Sequence, residues 1–254
     1  MSISVDFERS TAPFRGELLA HCYRMLGSVH DAEDVFQDTL VRAWHAKDRF
    51  DEGRASLRTW LYRIATNACL TALESRGRRP LPTGLVGFTD DTEAPLRPAL
   101  DVPWLQPFPD ALLGSDPATV AGLRGSLRLA LIAAMQLLPT RQRAILILRD
   151  VLEWSAAEVA ETLGTTVAAV NSGLQRARAS LAEAGVNEEQ LAEPEDRGRR
   201  AVIDRYAAAF ESADIEALAR LLTEDVILEM PPLLNWFVGQ THYARFIARV
   251  FTMR

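Results

Sequence analysis

Ser155-Ala-Ala-Glu158-Val-Ala-Glu-Thr-Leu-Gly164-Thr-Thr166-Val-Ala-Ala-Val170-Asn-Ser-Gly-Leu-Gln175-Arg-Ala-Arg178-Ala-Ser-Leu181 is the most legible stretch of the chain. Ser155 followed three positions later by Glu158 is a capping box, in which each side chain satisfies the other residue's amide and starts a helix. Leu163-Gly164 stops that helix, because glycine enters the left-handed turn without a Cβ clash. Thr165 and Thr166 restart the chain, and the spacing predicts a further helix over 167–181. A short helix, a glycine turn and a second helix with polar outer positions make a helix-turn-helix. On the second helix Val167, Val170, Leu174, Ala177 and Leu181 share one face. Ala168, Ser172, Gln175, Arg176 and Ala179 lie opposite, with Asn171 and Arg178 at the border. Small residues let a helix approach a groove closely, and Gln175 and Arg176 can bond base edges or phosphates. Taken alone, the pattern also fits an arginine-bearing surface helix in an ordinary bundle.

Upstream, apolar residues recur at three and four from Phe14 to Leu26 and from Ala32 to Ala46, which predicts two helices, the second capped by Asp31. A third is predicted over 56–76, capped by Ser56. At 100° per residue it buries Leu57, Trp60, Leu61, Ile64, Ala68 and Ala72, and presents Arg58, Thr59, Tyr62, Arg63, Thr66 and Arg76, with Asn67 at the edge. Aromatics stack on unpaired bases and amides read their edges, so this basic face suits opened DNA. Asp31, Glu33, Asp34 and Asp38 form an acidic helix start that suits a basic protein partner, or only the helix dipole. Beyond the midpoint, helices are predicted over 123–138 and, capped by Thr140, through Arg149.

Net charge over 254 residues is −6, but it is unevenly spread. Residues 54–79 carry +5 and 120–181 carry +3, whereas 1–53, 80–119 and 182–254 carry −4, −5 and −5. Two basic islands in an acidic chain can each face phosphates. The segment 80–119 holds eight of the chain's 13 prolines and reads as an extended, partly polyproline linker, either a solvated tether with a few packed anchors or a segment docked through Trp104, Leu105 and Phe108. Hydrophobic residues at 48% and charged ones at 24% exclude fibrous and wholly disordered classes. The N-terminus lacks the apolar core of a signal peptide, and no apolar run reaches the roughly 18 residues of a membrane span. Cys22 and Cys69 read as reduced thiols of a cytoplasmic protein. His21, Cys22, His30, His45 and Cys69 show no zinc spacing, and no catalytic triad or phosphate loop is present, so neither metal nor cofactor is expected.

The run Asp31-Ala-Glu-Asp-Val-Phe-Gln-Asp38, then Trp44, Phe50, Leu57-Arg-Thr-Trp-Leu-Tyr-Arg-Ile-Ala-Thr-Asn67 and Gly77-Arg-Arg-Pro80, resembles region 2 of the bacterial extracytoplasmic-function (group IV) sigma factors of the sigma-70 family. Leu137-Leu-Pro139, Arg149-Asp150, Ser155 through Gly164 and Val170 through Arg178 are similar to region 4 of the same family. The linker run Val102-Pro-Trp-Leu-Gln-Pro-Phe-Pro-Asp110 and the extra C-terminal section resemble the actinobacterial SigG-type subgroup, which fuses a SnoaL-like domain to the sigma body. The resemblance implies a mainly α fold: region 2 over 1–79, a Pro-rich acidic linker over 80–118, region 4 over 119–185, and a partial α+β SnoaL-like section over 197–254. That section is read as two helices, 201–210 and 215–222, and a strand at 225–230, too little for a closed cone.

As to function, the resemblance implies a factor without catalysis of its own, which binds core RNA polymerase and directs initiation at chosen promoters. Asp31, Glu33, Asp34, Gln37, Val41 and Trp44 would meet the clamp helices of the largest subunit. Phe50, Arg58, Tyr62, Arg63, Asn67, Arg76, Arg78 and Arg79 would face the −10 element. Thr166, Asn171, Ser172, Gln175, Arg176 and Arg178 would face the −35 element, with region 4 near the polymerase flap. The linker would thread toward the polymerase active centre, and the C-terminal section would regulate in place of a separate anti-sigma factor. Two other readings remain at this point: a polymerase-independent helix-turn-helix regulator with a ligand-sensing C-terminal domain, and a small-molecule isomerase or hydrolase built on the C-terminal section.

Overall fold

The computed structural model describes residues 2–74, 79–113, 127, 129–183 and 197–253. The chain divides into two compact units, 1–79 with 106–192 and 80–105 with 193–254.

In the first unit the N-terminal helices are α1 (Ser2–Thr11), α2 (Arg15–Leu26), α3 (Val29–Ala46) and α4 (Leu57–Glu74). Gly27 ends α2 at φ 69°, its N–H reaching Tyr23 O at 2.7 Å. The cap of α3 is Ser28, whose Oγ accepts the Asp31 amide, so the helix starts three residues before the expected Ala32 and Asp31 lies inside its first turn. Gln106 joins this cap: its Oε1 accepts from Ser28 Oγ at 3.0 Å and from the Val29 amide at 3.2 Å. Arg79 binds the Asp31 carboxylate of the same turn. The two residues that flank segment 80–105 are thus both fastened to the start of α3. Every residue of α2 from Leu18 to Leu26 is buried. Helices α3 and α4 cover one side; α5 (Leu129–Gln136) and α6 (Thr140–Leu146) add contacts, with the buried Arg143 donating to Met25 O at 2.5 Å.

Pro139, not Thr140, precedes α6, and a π turn over Ile147–Val151 replaces the helix expected to run through Arg149. The portion of the predicted 123–138 helix before residue 127 lies outside the described residues. Helices α7 (Ala156–Leu163) and α8 (Val167–Glu183) follow. Both halves of the Ser155–Glu158 capping box are present, and Gly164 turns at φ 59°. Helix α8 packs on α6 through Gly173: a Cβ there would lie 2.6 Å from Ile145 Cδ1.

The buried arc of α4 differs from the wheel reading. Leu61, Tyr62, Ala65, Thr66, Ala68 and Cys69 are buried, which turns the arc by roughly 80–100° toward Tyr62 and Thr66 at 100° per residue. The helix is gripped by both α2 and α3, and its buried polar groups find partners across α2. His21 Nε2 and Thr66 Oγ1 are 2.9 Å apart, and Tyr62 donates to Glu17 at 3.2 Å.

In the second unit α9 (Arg197–Glu211), α10 (Ile215–Leu221) and α11 (Gln240–Thr252) accompany an antiparallel pair, β1 (Ile227–Glu229) and β2 (Trp236–Val238). Leu228 pairs with Phe237. Ala209, Leu218, Tyr243 and Ile247 form a core, with the Tyr206 and Tyr243 hydroxyls 2.7 Å apart. The strand predicted at 225–230 is shorter than expected; β2 and α11 were not anticipated. Segment 80–105 is bound along this section, the docked of the two readings. Pro98 bridges Leu233, Thr89 donates to Trp236 O at 3.1 Å, and Trp236 Nε1 donates to Val86 O at 2.8 Å. Arg249 donates to Thr92 O and Ala94 O, each at 2.8 Å, and the Asn235 side chain bonds Arg97 N and Pro95 O. Leu105 N approaches Pro80 O at 3.5 Å, so the segment's two ends meet.

Candidate nucleic-acid interface

Three faces of the first unit hold the residues singled out in the sequence. The first surrounds the loop before α4. Ser56 Oγ caps that helix by accepting the Thr59 amide at 3.1 Å. Phe50 is half-buried, its ring centroid 5.0 Å from that of Trp60. Trp60, expected in the core, lies at the margin of the buried arc and walls this loop with Phe50. Arg63 and Asn67 are exposed one and two turns along α4. Arg63 bonds Glu161 of α7 at 2.8 Å, with side chains 47% and 73% exposed.

The remaining −10 candidates differ. Tyr62 is only 1% exposed, its ring edge against His21 and Trp154, so it is a packing residue and the reading of an open stacking surface is corrected. Burial first, and the Glu17 charge next, push its phenol up. Arg58 forms a forked pair with Glu17 at 2.7–3.0 Å and lies 4.9 Å from the Tyr62 ring centre. Those hydrogen bonds raise its pKa further. Arg79 is engaged with Asp31, and burial lowers its pKa. Arg76 and Arg78 lie outside the described residues.

The second face is the outside of α8. Thr166 caps the helix, its Oγ1 accepting the Ala169 amide at 3.1 Å. Asn171, Ser172, Gln175 and Arg176 are exposed, among the small residues Ala168, Ala169 and Ala179. Arg178 is exposed too and forms a two-point pair with Asp150 at 2.8 and 3.0 Å. Val167, assigned to the buried side, is 44% exposed. The glycine turn and the Gly173 contact fix this helix against the body, with Asn171, Ser172, Gln175 and Arg176 exposed on its other side.

The third face is on α3. Asp34, Gln37 and Val41 are exposed and Trp44 half-buried, spaced to share one side. Asp31 is separate from it, since its carboxylate is taken by Arg79. Glu33 is half-buried. Among the described residues no cluster of His, Cys, Asp or Glu could hold a metal, and no helix is long and apolar enough to cross a membrane.

Comparison with known proteins places the chain in a family. The family model for sigma-70 region 2 matches residues 12–79, and that for sigma-70 region 4 matches residues 128–181. The ECF RNA polymerase sigma factor SigG of Mycobacterium tuberculosis is 52% identical over 236 residues, which cover 92% of this chain and 64% of that relative. The ECF RNA polymerase sigma factor SigW of Bacillus subtilis is 32% identical over 168 residues, covering 66% of this chain and 82% of SigW. The crystal structure of M. tuberculosis SigJ has the same fold at a TM-score of 0.63, with 24% identity over 96% of this chain and 75% of that one. The chain is mostly helical, carries regions 2 and 4 in order, and belongs to the extracytoplasmic-function RNA polymerase sigma factors. It spans somewhat less than two thirds of the SigG relative's length.

Proposed function

We propose that this chain binds core RNA polymerase in the cytoplasm and directs initiation at promoters carrying its own −10 and −35 elements. The polymerase performs the chemistry and the chain is not an enzyme. The observation that carries the reading is the pair of exposed DNA-suited faces, each in its own sigma region. The α4 face, with Phe50, Trp60, Arg63 and Asn67, suits an opened strand: two aromatics offer stacking, a guanidinium offers phosphate contact and an amide offers edge readout. Extruding a base costs a few kcal/mol, which contacts to this loop would offset. The α8 face, with Thr166, Asn171, Ser172, Gln175 and Arg176, suits the major groove of a duplex. Arg58, held by Glu17, borders the first face, and the buried Tyr62 packs under it. The α3 side, with Asp34, Gln37, Val41 and Trp44, is the polymerase-facing surface in this reading.

Co-migration with core polymerase at low salt tests it. A stable complex is expected; promoter-duplex binding with no association to core would favour a polymerase-independent regulator.

The C-terminal section is, in the same reading, a regulator acting through the linker. The linker, expected to thread toward the polymerase active centre in the complex, is bonded along β2 and α11 in the chain by itself. Its Arg249 clasp, 18% exposed, holds two linker carbonyls. The helix pair and strand pair are compatible with the first part of a SnoaL-like cone. If Arg249→Ala leaves both transcription and core affinity unchanged, the regulatory role is lost.

A further inference from the structure

Gln106 is where the chain returns from the second compact unit, which includes 80–105, to the first. It returns to the turn between α2 and α3, and both its main chain and its side chain are held there. Its N–H donates to Gly27 O at 3.1 Å, and its own carbonyl accepts from the Tyr23 hydroxyl at 2.5 Å. Its Oε1 accepts from Ser28 Oγ and from the Val29 amide. Four hydrogen bonds thus join one linker residue to the stretch Tyr23–Val29. Tyr23 is fully buried, and the Phe108 ring lies edge-on to it with centroids 4.9 Å apart.

A helix start needs acceptors for its first amides, and Oε1 supplies one for α3. The anchor does more than cap, because the other end of the excursion is fastened beside it. Arg79 binds Asp31 in the first turn of α3, and Leu105 N is 3.5 Å from Pro80 O. Segment 80–105 therefore leaves and returns at one point, and adds no distance between residue 79 and residue 106.

That closure changes how far region 4 can travel from region 2. The region 4 match begins at residue 128. Residues 80–127 are 48 in number, whereas 107–127, beyond the anchor, are 21. Fully extended, the first would span about 160–170 Å and the second about 70–75 Å. The −10 and −35 positions are about 25 base pairs apart, which is about 85 Å of duplex at roughly 3.4 Å per pair. The two protein bodies bridge part of that gap. Over the remainder the shorter chain is close to taut and the longer one is slack. The effective concentration of a tethered module collapses where its tether cannot span, so only the short tether discriminates by distance.

We propose that Gln106 is a positioning residue for promoter recognition: by pinning the linker to the α2–α3 turn, it shortens the tether of region 4 and limits the spacing of the elements that the chain accepts. This rests on the promoter-binding reading above and adds to it the determinant of spacing.

The experiment measures transcription by core polymerase and the full chain on promoters with their elements at the best spacing, and about one to three base pairs (roughly 3–10 Å) further apart. A flexible insert of about ten Gly and Ser residues, roughly 16–19 Å of coil, is placed at either of two exposed sites. One follows Leu100, within the excursion, and the other follows Pro109, beyond the anchor. The insert after Pro109 is expected to raise the ratio of long-spacing to best-spacing transcription at least about threefold, and the insert after Leu100 to leave it within about 1.5-fold. Combining Gln106→Ala with Tyr23→Phe removes three of the four bonds, and in that background the Leu100 insert should act like the Pro109 insert. Hydrogen exchange of the peptide that contains Gln106 should stay slow when the wild-type chain is bound to core. Where the double variant melts early, the comparison of the two inserts in the wild-type background decides. Equal ratios for the two inserts, or loss of Gln106 protection on binding core, overturn the anchor alone. Absence of initiation by the wild-type chain at every spacing overturns the promoter reading and the spacing role with it.

Discussion

Gly173 lets α8, the proposed −35 helix, lie against α6, and the consequence of filling that space can be worked out. In Gly173→Ala the new Cβ would stand 2.6 Å from Ile145 Cδ1, with Ile145 Cγ1 next at 3.9 Å. Carbon atoms pack at about 3.5–4.0 Å, so Cδ1 must retreat by about 1 Å. Ile145 is 6% exposed, in a packed setting where such overpacking costs roughly 1–3 kcal/mol. Against this, replacing glycine by alanine inside a helix gains about 1 kcal/mol. The net expectation for Gly173→Ala is a loss of about 0–2 kcal/mol, the first term minus the second.

The sharper expectation lies in the double mutant. Ile145→Val removes Cδ1 alone and costs about 0.5–1.5 kcal/mol. In that background alanine at 173 meets no close atom and stabilises by about 1 kcal/mol, giving a coupling of about 1–3 kcal/mol. Denaturant unfolding of the four proteins measures it, and −35 duplex affinity should fall in Gly173→Ala and recover in the double mutant. A coupling below about 0.5 kcal/mol would refute the argument, because independent sites add to within that amount.

Other expectations concern the charged groups. Glu161→Gln releases Arg63 from a pair whose side chains are 47% and 73% exposed, so stability should stay within about 0.5 kcal/mol of wild type. Promoter opening, followed by permanganate reactivity, should rise by no more than about fivefold; a fall would remove Arg63 from the −10 face. Arg176→Ala should weaken −35 duplex binding and reduce the salt slope by about one, measured by titration at several ionic strengths, while an unchanged slope would place the guanidinium away from phosphate. His21 is buried and its pKa is pushed down to about 3, by burial first and by Arg24 second. The unfolded chain therefore takes up a proton near pH 6.5 that the folded one refuses. The stability His21 lends is full above that pH and drains away at about 1.4 kcal/mol per unit as pH falls toward 3. His21→Gln should flatten unfolding free energy between pH 6.5 and 5 relative to wild type, and an identical slope would contradict the burial argument.

The parts of the fold that local chemistry dictates were legible. The Ser155–Glu158 box and Gly164 lie within ten residues of one another, and the structure has both where expected. Asp34, Gln37 and Val41 needed only helical spacing to share a side. What depended on distant partners was misread or missed. A helical wheel shows one stripe and puts Tyr62 on the open face, whereas α4 is held by two helices and the phenol finds Glu17, 45 residues away. Hydrophobicity alone puts Trp60 in the core, though its position ten residues beyond Phe50, across a Gly-containing loop, is the signal that pairs them. Residue type and position make Asp31 the expected cap, but Ser28 takes that place and the Asp31 carboxylate meets Arg79, 48 residues on. The proline-rich segment 80–119 suggests a tether because proline lacks an amide donor, and its Trp104, Leu105 and Phe108 suggest docking without naming the surface. Its carbonyls remain available, and those of Val86, Thr92, Ala94 and Pro95 accept from Trp236, Arg249 and Asn235, side chains more than 130 residues away. Strand β2 is three residues long and gains its identity only by pairing with β1.

The central claim is that two faces, one on α4 and one on α8, act together when the chain joins polymerase. The most direct test is transcription from a genomic promoter library by purified core polymerase, with and without this chain, and with 5′ ends mapped. The account predicts RNAs that begin at defined positions only when the chain is present, downstream of a shared pair of sequence elements, and that are lost when Asn67 and Arg176 are both replaced by alanine. Start sites identical to those of core alone, from a chain shown to be folded and bound to the enzyme, would contradict it.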